Sequence, residues 1–289
     1  MAERLYERKD HYIPRIAAVH DLCGYGKCSL GVAIPVLSAA GCDVCPVPTG
    51  LFSSHTAFPG WYMHDTTAIL KDYTDAWKTI GVEIDAVYSG FLGDAEQVAR
   101  IRDLYETYPQ ALRVVDPVMA DHGKVYPTYT PELCDAMAQL AEGADILTPN
   151  LTEASIILGI EWPGANIDEA KVHEMIDGLR EKGAKNVVLK GIERGDGLIR
   201  NYIEGDSVEF TETVNEKLPY MLHGTGDLFT STLLAAIMAG CDLAEATRFA
   251  SDFVPEAMGI TSYQPDFQNC GVSFEPLLGK IAALLGPTA

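Results

Sequence analysis

The sequence predicts an α/β fold in which a mostly parallel sheet carries helices on both faces. Short apolar, β-branched runs alternate along the chain with longer segments of helical periodicity, and this alternation is typical of parallel sheets. Hydrophobic residues make up 47% and charged residues 21% of the 289 residues, as in globular proteins. We expect one domain over residues 1–289, with residues 1–13 as a flexible N-terminal extension.

Each predicted strand is a short apolar run bounded by turn residues or by a polar side chain. In order, the strands cover residues 15–20, 43–47, 86–89, 113–116, 145–148 and 186–190, followed by a hairpin of residues 198–203 and 207–211. Each predicted helix repeats apolar residues three or four apart, and several begin near Pro or end at Gly. The helices cover residues 29–40, 64–80, 95–108, 131–142, 151–159, 168–182, 226–239 and 243–259, and residues 49–61 form a polar, aromatic loop.

The charge balance limits the partners of the protein. Acidic side chains number 41 and basic ones 21, which gives a net charge of −20. A surface with this much negative charge repels phosphate backbones and anionic lipids. We therefore expect neither nucleic acid nor membrane as a partner. The seven cysteines are an odd, scattered set, and the charged N-terminus lacks an apolar signal core, so a reduced, cytoplasmic protein is expected.

A glycine-rich segment before an apolar helix carries the strongest chemical signal. It reads His223-Gly224-Thr225-Gly226-Asp227. Successive backbone N–H groups at the start of a helix bind anions, and a carboxylate in the first turn can accept a proton from a hydroxyl that attacks a bound phosphoryl group. The segment predicts an anion site with Asp227 as base, and a plain glycine-rich N-cap is the alternative of about equal weight.

Polar residues follow three predicted strands, where ligands bind to parallel sheets. Asp116, Asp121 and Glu153 offer carboxylates at successive strand ends, and carboxylate oxygens suit Mg²⁺. The alternative is ordinary capping of the next helix by Asn150 and Glu153. Lys190 ends another strand and faces the predicted phosphate edge, although a strand-end lysine that only reaches solvent is equally consistent with the sequence.

The loop after the second strand combines hydroxyl, imidazole and aromatic side chains. Phe52 offers a stacking surface for a flat polar ring, and Thr49 or Thr56 offers a hydrogen bond. Taken by itself, the loop is better explained as a packed surface segment.

Two further patterns are weak. The stretch from Gly24 to Ser29 lacks the spacing of a phosphate loop and of a dinucleotide-binding loop. Cys42 and Cys45 form a CxxC pattern within a predicted strand, where alternation places them on opposite faces. Neither zinc binding nor redox chemistry is expected at this pair.

Taken together, these motifs resemble the ribokinase-like superfamily and, within it, the pyridoxal kinase group. The resemblance spans residues 15–259, and Phe-Ser-Ser-His-Thr at 52–56 is its most specific part, similar to the Phe-Ser-Asn-His-Thr of pyridoxal kinases. The other matching segments are Asp-Pro-Val-Met at 116–119, Val-Tyr-Pro at 125–127, Thr-Pro-Asn at 148–150 with Glu153, and Gly-Thr-Gly-Asp at 224–227.

The resemblance implies a three-layer sandwich that transfers phosphate from ATP to the 5′-hydroxymethyl group of pyridoxal, pyridoxine or pyridoxamine. It implies Mg²⁺ as a cofactor, leaves a monovalent cation such as K⁺ open, and suggests a homodimer. Asp227 is then the base, and the amides of Gly224, Thr225 and Gly226 form the anion hole. The substrate contacts are Asp21, Thr49, Phe52, His55, Thr56 and Phe91; the ATP contacts are Thr148, Asn150, Lys190 and Tyr126; the Mg²⁺ residues are Asp116, Asp121 and Glu153.

Other functions remain open on the sequence. Asp21 stands where pyridoxal kinases have Ser and their pyrimidine-kinase relatives have Asp, so a kinase for hydroxymethylpyrimidine or its phosphate is an alternative. A non-catalytic vitamin-binding protein is another, although the presence of Asp227 argues against it. A dehydrogenase has little support because the glycine fingerprint for dinucleotides is lacking.

Overall fold

The structure is a computed structural model that describes residues 3–286, and over this range the chain forms eleven β-strands and nine α-helices. The strands are β1 (Arg15–Cys23), β2 (Asp43–Phe52), β3 (Met63–Asp65), β4 (Ala86–Ser89), β5 (Leu112–Val115), β6 (Ala120–Asp121), β7 (Lys124–Val125), β8 (Ile146–Leu147), β9 (Asn186–Glu193), β10 (Leu198–Gly205) and β11 (Val208–Glu216). The helices are α1 (Leu30–Ala39), α2 (Thr67–Ile80), α3 (Ala95–Thr107), α4 (Pro131–Ala138), α5 (Leu151–Leu158), α6 (Glu169–Glu181), α7 (Thr225–Met238), α8 (Leu243–Thr261) and α9 (Leu278–Ala282).

The described chain builds one nine-stranded sheet in the order β11-β10-β9-β8-β5-β4-β1-β2-β3. All neighbours from β9 to β2 run parallel, while β10, β11 and β3 pair antiparallel at the two edges. The parallel strands therefore end at the same edge of the sheet, and the loops that follow them share one surface. Strands β6 and β7 form a separate two-stranded ribbon.

Helices cover both faces of this sheet, as the sequence predicts. Helices α2 to α6 pack on one face, against β1 side chains such as Ala17 and Val19. Helices α1, α7, α8 and α9 pack on the other face, where Ile16 of β1 and Tyr88 of β4 contribute to a second core. Successive residues of a strand point to opposite faces, which explains why neighbours in β1 belong to different cores.

The predicted loop after the second strand is partly wrong. Strand β2 continues to Phe52 and pairs with the additional strand β3, and α2 begins at Thr67 rather than at residue 64. Pro46 and Pro48 lie within β2, where their carbonyl oxygens accept hydrogen bonds from Tyr73 and Thr66 of the α2 region. The backbone side on which each proline lacks an N–H therefore faces away from β1. Neither proline interrupts the hydrogen bonds between β1 and β2.

The N-terminal segment, expected to be flexible, is hydrogen-bonded over its described part to the connections that precede β2 and β4. Arg8 donates hydrogen bonds to the carbonyl oxygens of Ala40 at 2.9 Å and Gly41 at 2.8 Å. The Tyr12 hydroxyl donates to Asp85 at 2.9 Å. Among the described residues, no helix combines the length and apolar character needed to cross a membrane.

Candidate active site

A cavity of about 620 Å³ opens where the parallel strands end. Most of the side chains predicted to form a site lie in its wall, although they come from segments that are distant in sequence. These residues are Asp21, Phe52, His55, Thr56, Phe91, Asp116, Asp121, Tyr126, Asn150, Glu153, Lys190, Gly224, Thr225, Gly226 and Asp227.

Thr49 and Thr148 are not brought to the cavity wall. Both side chains are fully buried within the protein. The Thr49 hydroxyl donates to the carbonyl oxygen of Phe91 at 2.8 Å, and the Thr148 hydroxyl lies 3.0 Å from that of Thr230. Their hydroxyl groups therefore lie inside the protein, and each already has a hydrogen-bond partner.

The start of α7 has the backbone shape of an anion site. Gly224 precedes the helix with φ of +81°, and a Cβ at this position would overlap the carbonyl oxygen of Lys27. Only glycine combines this left-handed conformation with so close an approach. A Cβ on Gly226 would lie 3.6 Å from Lys190 Nζ, so an ammonium group stands beside the positive end of the helix.

Asp227 lies in the first turn of α7 with an unpaired carboxyl oxygen. Its Oδ1 atom is buried and finds no hydrogen-bond partner among residues 3–286. Burial, reinforced by the charge of Asp116, raises the pKa of Asp227 to about 7, although the backbone N–H of Ser29 acts in the opposite direction. Ser29 adopts φ of +51°, which is unusual for a residue other than glycine. A carboxyl group with a pKa near neutrality suits a general base.

Asp116 and Lys190 form a buried ion pair in the cavity wall. Lys190 Nζ donates to Asp116 Oδ1 at 2.6 Å, and the Thr230 hydroxyl donates to the other carboxyl oxygen at 2.9 Å. Burial alone lowers the pKa of Lys190, but the charges of Asp116 and Glu153 outweigh it and raise the pKa above its ordinary value. The ammonium group is consequently charged and fixed in position.

Asn150 and Glu153 cap α5 in a reciprocal capping box, so the capping interpretation of these residues is confirmed. Glu153 accepts hydrogen bonds from the N–H groups of Asn150 at 2.8 Å and Met119 at 3.3 Å. Burial raises the pKa of Glu153 to about 8, with Lys190 opposing the shift and Asp116 adding to it. Both capping residues also line the cavity, so capping and ligand contact are compatible.

Aromatic side chains form another part of the cavity wall. Phe52 packs edge-to-face against Phe91 with ring centroids 5.5 Å apart. His55 Nδ1 accepts a hydrogen bond from the N–H of Ala57 at 3.3 Å, so Nε2 carries the proton and donates to the carbonyl of Asn269 at 2.8 Å. His55 also stacks on His223, with centroids 4.4 Å apart. This part of the wall suits a flat polar ring.

The cavity also extends beyond the predicted site residues, along β10, β11 and α8. The additional lining residues include Ile199, Asn201, Asn215, Leu218, Tyr220, Ser251, Val254, Pro255 and Met258. Asn201 accepts a hydrogen bond from the N–H of Gly191 at 3.0 Å and donates to Ser251 at 2.9 Å, which ties this region to the strand that carries Lys190. These residues carry no motif, and in the sequence they resemble ordinary core and hairpin positions.

The glycine-rich start of α7, the buried carboxyl group of Asp227 and the aromatic side chains of the cavity wall fit an ATP-dependent phosphotransferase that acts on an alcohol group. Comparison with known proteins assigns the chain to a family. The chain belongs to the phosphomethylpyrimidine kinase family, whose model matches residues 36–271.

Individual relatives agree with this assignment. A hydroxymethylpyrimidine/phosphomethylpyrimidine kinase of Haemophilus influenzae is 31% identical over 196 residues, which cover 63% of this chain and 71% of that protein. The pyridoxal kinase PdxY of Aliivibrio fischeri is 28% identical over 264 residues, covering 83% and 88%. A Bacteroides thetaiotaomicron structure described as a phosphomethylpyrimidine kinase, in a crystal form with pyridoxal, superposes with a TM-score of 0.89 at 33% identity, covering 93% of this chain and 96% of that one.

These findings confirm the predicted α/β fold and the resemblance to the pyridoxal kinase group. They also confirm the prediction of a kinase, and pyridoxal kinases recur among the relatives. Hydroxymethylpyrimidine kinases are present among them as well.

Proposed function

We propose that this protein transfers the γ-phosphoryl group of ATP to the 5′-hydroxymethyl group of pyridoxal, pyridoxine or pyridoxamine. The observation that carries the proposal is the position of Asp227. Its Oδ1 atom, which has no hydrogen-bond partner among residues 3–286, lies in the first turn of α7, in a cavity that Phe52 and Phe91 also line. In this proposal the proton acceptor, the phosphoryl site and the ring pocket therefore share one cavity.

In the proposed reaction the ring of the acceptor lies against Phe52 and Phe91, near Asp21. Its hydroxymethyl group extends toward Asp227, which accepts the hydroxyl proton. The alcohol oxygen forms a bond to the γ-phosphorus as the bond between that phosphorus and its bridging oxygen breaks, and ADP leaves. The amides from Gly224 to Gly226 and the ammonium group of Lys190 stabilise the negative charge on the transferring group.

The nucleotide occupies the other part of the cavity in this proposal. Its phosphates approach Lys190 and Asn150, with Tyr126 above them, and its base lies in the less polar region between β10 and α8. The amides and the ammonium group supply positive potential locally, which reconciles ATP binding with a net charge of −20.

Mg²⁺ fits the residues of the phosphate region. The carboxylates of Asp116, Glu153 and Asp227 face a single ammonium group, and repulsion from Asp116 contributes to the raised pKa values of Glu153 and Asp227. This excess of negative charge favours a divalent cation. In the proposal Asp116, Asp121 and Glu153 hold Mg²⁺ or its waters, and the metal supplies charge neutralisation at the phosphates.

A substrate panel tests the proposal. Purified protein with MgATP is offered pyridoxal, pyridoxine, pyridoxamine or hydroxymethylpyrimidine, and ADP release is measured. Release with at least one B6 vitamer, at a higher kcat/KM than with the pyrimidine, supports the proposal. Binding of pyridoxal without ADP release with any acceptor would identify a non-catalytic vitamin-binding protein instead.

A pyrimidine acceptor is the second candidate, and Asp21 favours it. Its carboxyl group is nearly fully buried in the cavity wall, and burial raises its pKa to about 6. Such a group can either accept or donate a hydrogen bond to a ring nitrogen. Asp21→Ser, which installs the residue of the pyridoxal kinases, should raise the preference for pyridoxal over hydroxymethylpyrimidine, with Asp43→Ser on the exposed part of β2 as the control. An unchanged ratio would remove Asp21 as a determinant.

We also propose a homodimeric, cytoplasmic protein. Leu51, Tyr62 and Ile69 are exposed apolar side chains near the edge strand β3, and a sheet edge flanked by apolar residues suits pairing with a second copy. Light scattering should give twice the chain mass, and Ile69→Asp should reduce it. All seven cysteines are free, as expected in a reducing compartment.

A further inference from the structure

A carboxylate and two thiols meet at the acceptor end of the cavity. The side-chain ligand atoms of Asp21, Cys23 and Cys28 all lie within 4.8 Å of one another. Cys23 Sγ donates to Asp21 Oδ2 at 3.6 Å, and all three residues line the cavity. The proposed phosphoryl transfer uses neither thiol, so the pair has no role in it.

The local backbone holds the three side chains together. Asp21 and Cys23 are two positions apart in β1 and so project to the same side of the strand. The chain then reverses at Gly26, with φ of +92°, and returns Cys28 to them. The N–H of Gly24 donates to the Phe52 carbonyl at 2.8 Å, which anchors the intervening loop. The group is therefore preorganised.

The separation of Cys23 and Asp21 matches tetrahedral coordination, and the other ligand separations stay within 4.8 Å. With metal–sulfur bonds of about 2.3 Å and metal–oxygen bonds of about 2.1 Å, a tetrahedral Zn²⁺ site separates sulfur from oxygen by about 3.6 Å and sulfur from sulfur by about 3.8 Å. The 3.6 Å between Cys23 Sγ and Asp21 Oδ2 fits this geometry. Three protein ligands would leave a fourth position for water or another ligand, and all three residues line the cavity.

The surrounding charge favours a cation. A hydrogen bond to Cys23, burial and the charges of Asp21 and Asp227 all raise the pKa of the Cys28 thiol. Lys27, the basic residue of the same loop, points away and bonds to Ser273 and Glu275. A bound divalent cation would relieve this negative potential and favour the thiolate form, as metal ligation does in general.

We propose that Asp21, Cys23 and Cys28 form a binding site for Zn²⁺ or another thiophilic divalent cation. Mg²⁺ is not the occupant because it requires oxygen ligands, whereas thiolates select softer metals. The cavity would thus hold a hard cation at its phosphate end and a soft one at its acceptor end. A bound cation would engage the Asp21 carboxylate. Zn²⁺ should therefore inhibit phosphoryl transfer competitively with the acceptor, a consequence that rests on the proposed kinase function.

Cobalt(II) serves as the spectroscopic probe of this site. Reduced protein in excess Mg²⁺ is titrated with Co²⁺, and we expect one equivalent to give a thiolate-to-cobalt charge-transfer band and the strong visible bands of tetrahedral cobalt. Cys23→Ser and Cys28→Ser should each lose the charge-transfer intensity and bind at least tenfold more weakly. Cys45→Ser is the matched control, since Cys45 is a half-buried thiol outside the cluster.

The absence of a charge-transfer band in the wild-type protein would overturn the proposal, as would a band that persists unchanged in either serine variant. Asp21→Asn keeps both thiols and should weaken cobalt binding while retaining thiolate absorption, so it decides the matter if a serine variant does not fold. Unaltered affinity in Asp21→Asn would exclude the three-ligand site. Because the spectrum requires no turnover, failure of the metal proposal is distinguishable from failure of the proposed kinase activity.

Discussion

Lys190 and Asp116 come from adjoining regions of the sheet edge, and the ammonium nitrogen of Lys190 lies 2.6 Å from the carboxylate Oδ1 of Asp116. The sequence suggested separate partners for them, ATP phosphates for the lysine and Mg²⁺ for the aspartate. The pair instead holds each side chain ready before either ligand arrives. Both residues also line the cavity.

Lys190→Met should destabilise the protein as well as impair nucleotide binding. Removing the lysine leaves Asp116, which is fully buried, without its counter-charge. Breaking a buried ion pair on one side costs about 3 kcal/mol or more. Urea denaturation should show this loss, and ATP titration should show weaker binding.

The double variant Lys190→Met/Asp116→Asn separates stability from binding. It removes both charges, and Asn still accepts the hydrogen bond that Thr230 donates. Most of the stability should therefore return while ATP binding stays weak. A double variant as unstable as the single one would mean that the lysine stabilises the fold by packing rather than through the ion pair.

The order of strands and helices was predictable because hydrophobic periodicity and turn residues are local signals. The extension of β2 beyond residue 47 was not, because Pro48 follows Pro46 and prolines normally argue against a longer strand. Their acceptability depends on which side of β2 is unpaired, a property of the sheet and not of the segment. The placement of Thr49 was unpredictable for the same reason. Its hydroxyl donates to the carbonyl oxygen of Phe91, a residue distant in sequence, and so is not available to a ligand.

The glycine-rich start of α7 was predictable for a similar reason. The glycines and Asp227 form one contiguous motif whose backbone requirements appear in the sequence. The region between β10 and α8 has no such motif, because apolar cavity walls are built from the same residue types as the core. The cluster of Asp21 with Cys23 and Cys28 depends on the chain reversal at Gly26. Sequence spacing alone does not show that this reversal brings Cys28 next to the other two residues.

Gly224→Ala should abolish most of the activity. The added methyl group would collide with the Lys27 carbonyl, and the left-handed φ of +81° disfavours alanine, so the helix start must shift. Misplacing an anion-hole donor reduces turnover by about 100-fold or more. ADP release per second measures the effect.

Gly31→Ala is the control for this substitution. Gly31 lies in α1, where a Cβ meets no atom within 4 Å and no special φ is needed. Alanine favours the helix there, so stability should be retained or slightly improved and turnover should stay normal. Equal losses in the two variants would argue against an anion hole at Gly224.

Removal of Mg²⁺ should stop turnover, and its return should restore it. The phosphate end of the cavity has more carboxylates than ammonium groups, so ATP without a divalent cation would meet net repulsion. Asp121→Asn should raise the Mg²⁺ concentration needed for half-maximal ADP release. Asp103→Asn, a change of an exposed carboxylate on α3, should leave it unaltered. Full activity under chelation would contradict metal-assisted transfer.

Asp227→Asn should lower turnover by about 10²-fold to 10⁴-fold because it removes the proposed base. ATP binding should remain close to that of the wild-type protein, since the α7 amides and Lys190 are unchanged. In the wild-type protein kcat/KM should rise with pH and level off above about 7, where Asp227 is ionised. The residual activity of the variant should lack that dependence. Normal turnover in the variant would exclude Asp227 as the base.

The same substitution should stabilise the fold at alkaline pH. In the unfolded chain this carboxyl group ionises near its ordinary value of 3.8, whereas burial and Asp116 raise its pKa to about 7 in the folded protein. Between these values the folded state keeps a proton that the unfolded state has released, so wild-type stability falls as the pH rises through this interval. Asn does not ionise and avoids the loss. Urea denaturation at pH 5 and pH 8 should therefore show that the variant is more stable than the wild-type protein, by a larger margin at pH 8. A margin independent of pH would show that the carboxylate is not held at an energetic cost for catalysis.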